Sequence, residues 1–459
     1  MATDVQVLDW QALTPQQRSN ALARPTQAVS ERLQQQVAAI IDTVAKRGDQ
    51  ALLDYTAQFD RVTLTSPVLA MATVEALAAQ ATAQVKRAID QAYANIRQFH
   101  LAQQPQDIRV ETMPGVVCEQ RFQPLERVGL YIPGGSASLP STVLMLGIPA
   151  QIAGCQERIL ISPPSADGEL SPAICYAAVK CGVTQVCLGG GAQAIAALAL
   201  GTDSIAKVDK IFGPGNSYVT EAKQQVSQIA GGPAIDMPAG PSEILVIADE
   251  SAEPAFVAAD LLSQAEHGPD SQVILLSPSR RLIEQVQIEL AQQLAALPRQ
   301  SIAAQALSAS ALILTRDLNE AVAISQAYAP EHLLLQFDDT ETYLPQLTNA
   351  GSIFVGHYTP ESGGDYATGT NHVLPTYGFA RNYSSLGLLD FYRRYTVQTV
   401  SAQGLQDLGQ TLIDLAAEEQ LDAHLRAVSL RLESPRMQAD LAAEQPTSRA
   451  AKTTTETRS

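Results

Sequence analysis

The chain has 459 residues, room for about three domains at ~150 residues each. Hydrophobic residues make up 46% and charged residues 17%, which points to large buried cores rather than disorder. A formal net charge of -17 sets the chain against phosphate backbones, hence against nucleic acid as its main partner. One local cradle of backbone N–H groups could still hold a nucleotide cofactor.

The N-terminus, Met1-Ala-Thr-Asp-Val, has no basic stretch with an apolar core behind it, so no secretory signal is expected. Leu33, Val37, Ile40, Ile41 and Val44 recur at helical spacing, and Gly48 follows as an expected stop. Ala- and Gln-rich helical pattern continues to about His100. Short apolar runs then alternate with helical stretches. Arg158–Ser162 precedes two prolines, and Val183–Leu188 precedes Gly189-Gly190-Gly191 and the helical Ala192–Leu200. Ile244–Ala248, Val273–Leu276, Leu312–Leu314, Leu333–Phe337 and Ser352–Val355 read as further strands. Residues 252–267, Arg280–Leu297 and Leu318–Ala329 read as helices between them, as do Leu405–Leu421 and Ala423–Leu432 near the end. Strands alternating with helices predict two parallel sheets covered on both faces, with functional residues on the loops just after strands. No run is long and apolar enough to span a bilayer. Five cysteines (Cys118, Cys155, Cys175, Cys181, Cys187) form no C-x-x-C pair, which suits reduced thiols in a cytoplasmic protein.

Several polar groups could carry chemistry. Gln264 and His267 share a face at the negative end of their helix, where a cation is welcome; they are either metal ligands or polar residues on a solvated face. Glu331 and His332 pair a carboxylate with an imidazole, a possible base and water activator. Neighbours on a strand face opposite ways, so both serve one site only where the backbone turns, or else they are an exposed edge pair. The segment Glu361–Thr376 holds Glu361, Asp365, Asn371 and His372 among glycines and reads as a long polar functional loop. Glu419 and His424 do not share a face of one unbroken helix, and a short break would let them converge. Three glycine loops could cradle a phosphate: Tyr131–Ser136, Leu188–Ala194 and Phe212–Asn216.

In order, Arg127-Val-Gly-Leu-Tyr-Ile-Pro-Gly-Gly, Gly190-Gly-Ala-Gln-Ala, Phe212-Gly-Pro-Gly-Asn, Gly240-Pro-Ser-Glu, Leu262-Ser-Gln-Ala-Glu-His-Gly, Ala329-Pro-Glu-His-Leu and Gly364-Asp-Tyr-Ala-Thr-Gly-Thr-Asn-His resemble the histidinol dehydrogenase family over about Asp42 to Leu432. The resemblance implies NAD-dependent oxidation of L-histidinol through the aldehyde to L-histidine, with one zinc per subunit anchoring the substrate. It implies zinc ligands Gln264, His267, Asp365 and His424, and an acid/base pair Glu331 and His332. Ser242, Gln264, His267, His332, Asp365, Glu419 and His424 would hold substrate, and Tyr131, Gln193 and Asn216 would contact NAD. It also implies a homodimer in which Glu419 and His424 complete the partner's site.

The expected architecture is α/β: two Rossmann-like doubly wound domains, with small helical N- and C-terminal segments forming a domain-swapped homodimer. Residues 1–24 would be a dimer arm, 25–130 with 240–380 the metal and catalytic domain, and 131–239 the NAD-contacting domain. Residues 381–435 would be the swapped helical segment and 436–459 a disordered tail. The rival readings are a related zinc dehydrogenase of another small polar alcohol, a zinc hydrolase, and a non-catalytic dimeric binding protein.

Overall fold

The structure is a computed structural model that describes residues 5–25, 31–134, 138–237 and 240–444. The chain divides into two compact units, Met1–Gln104 with Pro124–Phe391, and Pro105–Gln123 with Tyr392–Ser459.

The larger unit contains two six-stranded sheets. The first runs in the order Val68–Leu69, Gln185–Leu188, Glu157–Ser162, Arg127–Tyr131, Lys210–Phe212, Ala234–Ile235. Its paired neighbours are parallel except at Val68–Leu69, which is antiparallel. Leu33, Val37, Ile40, Ile41 and Val44 bury one stripe of the helix Glu31–Tyr55 against Ile159, Ile161 and the helix Gly191–Leu200. Each such side chain contributes roughly 1.5–3 kcal/mol. Gly48 breaks the helical geometry as expected (φ 50°, ψ -130°), but the chain re-enters helix at once because Ala51 and Leu52 pack into the same core. Met71–Ala79 packs on Pro172–Lys180, and Ala83–Leu101 on Pro140–Ala153. The helices expected within a 25–130 and 240–380 domain therefore belong to the first sheet, because their apolar stripes match its faces.

The second sheet runs Gln6–Asp9, Ala311–Leu314, Gln272–Ser277, Glu243–Ala248, His332–Gln336, Ser352–Val355, all parallel. Every residue of Glu243–Ala248 and Gln272–Ser277 is buried, as in strands covered on both faces. Pro254–Ala265 and Arg280–Ala296 contribute to one core, and Leu318–Tyr328 to the other. The described part of the expected dimer arm is an edge strand here: Gln6–Asp9 pairs with Ala311–Leu314, and Trp10 is buried in the core beside it.

In the smaller unit Ile108–Met113 and Val116–Pro124 form an antiparallel hairpin, joined by the strand Tyr392–Val400. Three helices follow, Ala402–Glu418, Asp422–Leu432 and Pro435–Glu444. The expected 381–435 helical segment thus starts differently: 381–391 belong to the larger unit and 392–400 are strand. The expected tail opens as helix to Glu444, and residues 445–459 lie outside the described residues. No helix among the described residues is long and apolar enough to cross a membrane.

Candidate active site

A cleft of about 660 Å³ opens between the two sheets of the larger unit. From the second sheet it receives Gly240–Ser242, Gln264, His267, Glu331, His332, Glu361, Asp365 and His372; from the first, Pro133, Ser141, Thr142 and Pro214–Ser217. The expectation that functional residues follow strands holds for the first sheet and, on the second, for Glu361 and Asp365, whose helix follows Ser352–Val355. The others on the second sheet precede strands, since Ser242 stands just before Glu243–Ala248 and Glu331 just before His332–Gln336. Two helices, Pro254–Ala265 and Leu318–Tyr328, end at this side. Their C-termini add negative potential that favours a cation.

The Glu331-His332 pair sits after a turn. Ala329 adopts the left-handed conformation (φ 55°), and Pro330 and Glu331 accept from Gly351 and Ser352 N–H at 3.0 and 2.9 Å. Both side chains are therefore buried in one cleft despite being neighbours in sequence. Glu331 Oε2 accepts from the backbone N–H of Glu243 at 2.8 Å. His332 Nδ1 donates to the backbone oxygen of Glu243 at 3.1 Å, leaving Nε2 facing Glu361 Oε1 at 3.9 Å. Burial disfavours the charged imidazole, but Glu331, Glu361 and Asp365 outweigh it and push His332 up to about 10. Burial also raises Glu331 above the usual carboxylate range.

The expected loop at 361–376 begins as a short helix, Glu361–Tyr366. Glu361 and Asp365, at i and i+4, therefore share a face. Burial first and the neighbouring Asp365 second push Glu361 up to about 8. His267, half exposed, points Nε2 at Asp365 Oδ2 from 3.9 Å, and desolvation lowers its pKa, favouring the neutral ligating form. Ligand atoms of His267, Glu361 and Asp365 all lie within 4.8 Å of one another. Buried Gln264 joins them: one amide position stands 2.9 Å from Glu361 Oε1 and the other 3.2 Å from Glu243 N–H. With the amide nitrogen donating to Glu361 and its oxygen accepting from Glu243 N–H, both ends of the side chain are satisfied. His372 Nδ1 donates to the backbone oxygen of Asp365 at 2.9 Å and steadies that helix. Asn371 is structural, donating to Met145 O at 2.7 Å.

A second pocket of about 430 Å³ adjoins the cleft and shares Pro133 and Asn216 with it. Tyr131, Ser138, Ser162–Ser165, Gly190 and Gly191 line it, at the carboxyl ends of first-sheet strands. Gly190 opens the helix Gly191–Leu200 without a side-chain cap, so the helix N-terminus is available to an anion. Gly191 has φ +62°, and its N–H donates to the Tyr131 hydroxyl at 3.2 Å. Asn216 caps the helix Ser217–Ser227, accepting from Tyr218 and Val219 N–H. Gln193 is buried behind Gly191 and lines neither cavity.

Glu419 and His424 lie in the smaller unit, both exposed, on either side of the expected break between Ala402–Glu418 and Asp422–Leu432. The larger unit supplies Glu361 to the cluster, a residue the sequence named only as a loop candidate; its signal was the i, i+4 spacing to Asp365. No cysteine lines either cavity among the described residues, and burial pushes Cys155, Cys181 and Cys187 up to about 12.

The family model described as histidinol dehydrogenase matches residues 22–432. Histidinol dehydrogenase of Idiomarina loihiensis is 61% identical over 430 residues, covering 94% of this chain and 97% of the relative. That of Vibrio cholerae is 55% identical over 424 residues, covering 92% and 97%. The crystal structure of histidinol dehydrogenase from Elizabethkingia anophelis superposes with a TM-score of 0.90 at 46% identity, covering 95% of this chain and all (100%) of that one. The chain belongs to the histidinol dehydrogenase family.

Proposed function

We propose that the chain oxidises L-histidinol through histidinal to L-histidine, reducing two NAD molecules in the last two steps of histidine biosynthesis. The observation that carries this reading is the convergence of Gln264, His267, Glu361 and Asp365 with Glu331 and His332 in one cleft, beside a second pocket with an uncapped helix N-terminus.

Gln264, His267 and Asp365 would hold a zinc ion, with His424 of the partner subunit completing its ligands. The residues fit a cation on two counts: two like-charged carboxylates on one helix face beside His267, and two helix C-termini. Tyr131, Gln193 and Asn216 serve the NAD side, Gln193 from beneath Gly191. Zinc bound there would supply an anchor for the substrate's amine and imidazole, and NAD would supply the hydride acceptor.

The chain's own residues move the protons. His332 Nε2 takes the hydroxyl proton, held in place through its Nδ1 bond to Glu243. A cation held by Asp365 would offset part of the pull that Glu331, Glu361 and Asp365 exert on His332 and favour the neutral imidazole. Glu331, buried and raised in pKa, activates water against the aldehyde in the second half. Ser242, at the cleft wall, holds substrate together with Glu419 of the partner subunit.

The assembly is a homodimer with exchanged C-terminal segments. Supporting this, Leu415 and Leu430 are exposed on the two helices that flank Glu419, the second of which carries His424, and Leu421 is exposed in the break between them. The two sheets then count as Rossmann-like domains, and the five unpaired thiols suit the cytoplasm. The adjoining pocket favours a nucleotide-dependent enzyme over a hydrolase. Formation of NADH from L-histidinol, abolished by a chelator and restored by zinc, tests the proposal; metal-replete protein that makes no NADH refutes it.

A further inference from the structure

Arg24 lies far from the cleft in sequence and is not among its lining residues. Its guanidinium donates twice to the Glu243 carboxylate, Nε to Oε1 at 2.6 Å and Nη2 to Oε2 at 2.9 Å. Nη2 also donates to the backbone oxygens of Tyr328 (2.9 Å) and Ala329 (3.3 Å), and the group stacks 3.9 Å from the centre of the Tyr328 ring. Arg24 thereby ties the start of the strand Glu243–Ala248 to the end of the helix Leu318–Tyr328 and to the left-handed residue that delivers Glu331.

Glu243 is 2% exposed, and its side chain accepts only inside the protein, including from Tyr377 N–H at 2.7 Å. Its backbone is the shared support of the acid/base pair: the N–H serves Glu331 and the carbonyl serves His332. A buried carboxylate that loses its bidentate partner must find water or another donor, and the backbone it belongs to shifts with it. Both side chains resting on that backbone move together.

We infer that Arg24 is a positioning residue for the reaction, acting through Glu243 to hold Glu331 and His332 in register. The inference rests on the reading of those two as the acid/base pair. A simple staple of the N-terminal segment would lower stability and leave turnover in the folded protein unchanged.

The test is steady-state kinetics of the full-length, zinc-loaded chain with L-histidinol and NAD, alongside thermal melts. Arg24→Met is expected to lower kcat about 30–100-fold, with both KM values within about threefold of the parent, since sub-ångström misplacement acts on chemistry rather than binding. Arg24→Lys keeps the charge and is expected to recover about tenfold of that loss. Combining Arg24→Met with Glu243→Gln is expected to cost less than the product of the single losses, because the two act as a unit. Folded Arg24→Met with a kcat within about twofold of the parent would overturn the inference. If Arg24→Met does not fold, Arg24→Lys decides: a lowered kcat at unchanged KM supports positioning, whereas parental kcat, or failure of this variant to fold as well, makes Arg24 structural only. His332→Asn in the same assay separates the underlying reading. If it keeps parental kcat, the acid/base assignment fails; if it is inactive while Arg24→Met is normal, only the role of Arg24 fails.

Discussion

The two sheets of the larger unit have the same build and are used from opposite ends. The first offers its strands' carboxyl ends, with the uncapped start of Gly191–Leu200 and the Asn216-capped start of Ser217–Ser227. The second offers its strands' amino ends, with the terminations of Pro254–Ala265 and Leu318–Tyr328. In a parallel α/β layer the helices run against the strands, so choosing an end also chooses the sign of the helix dipole. The positive end faces the pocket suited to a pyrophosphate, and the negative end faces the cluster suited to a metal and an amine. The difference teaches that ligand charge, rather than sheet topology, decides which end of such a layer becomes the site.

Variants on each side should therefore fail in separable ways. His332→Asn should give the largest effect, a kcat loss of ~10²–10⁴-fold. NAD binding by calorimetry should be kept, and loss of both would break the separation. Next comes Lys223→Met on the first side. Lys223 pairs with Asp236 in the interior and donates to Gly213 O at 3.0 Å, while Asp236 accepts from Gly213 N–H at 2.8 Å. Leaving Asp236 unpaired should destabilise the fold by ~3–5 kcal/mol, read from denaturant midpoints, with the zinc content of the folded fraction unchanged. Asp365→Asn should weaken zinc retention by at least ~10-fold in dialysis against a competing chelator, with KM for NAD unaffected. Tyr131→Phe removes the acceptor for Gly191 N–H and should raise KM for NAD about fivefold, a loss near ~1 kcal/mol, without altering metal content. Smallest of all, alkylation of the native enzyme at pH 8 should leave NADH formation unchanged, since burial holds four of its five thiols at about 11 or 12. Inactivation would bring a cysteine adduct back into the mechanism.

Much of the site was legible because its parts are local. Gln264 and His267 stand at a helix end marked by Gly268-Pro269, and Glu331-His332 follows a proline before an apolar strand. Glu361 was harder to read, since Gly363 and Gly364 suggested a loop where the chain forms a helical turn. Arg24 left no trace: its partner is 219 residues away, and no local pattern marks an arginine that will be buried.

By itself the sequence determined the alternation of strands and helices, the two sheets, the family, and most residues of the cleft, because periodicity, turn residues and motifs act over a few positions. Only the tertiary structure decided that the helix Glu31–Tyr55 covers the first sheet, that the N-terminal residues supply an edge strand to the second, and that the second sheet presents its amino ends. Those outcomes depend on which distant surfaces fit and on the summed field of helices brought together, and neither quantity exists until the chain has folded.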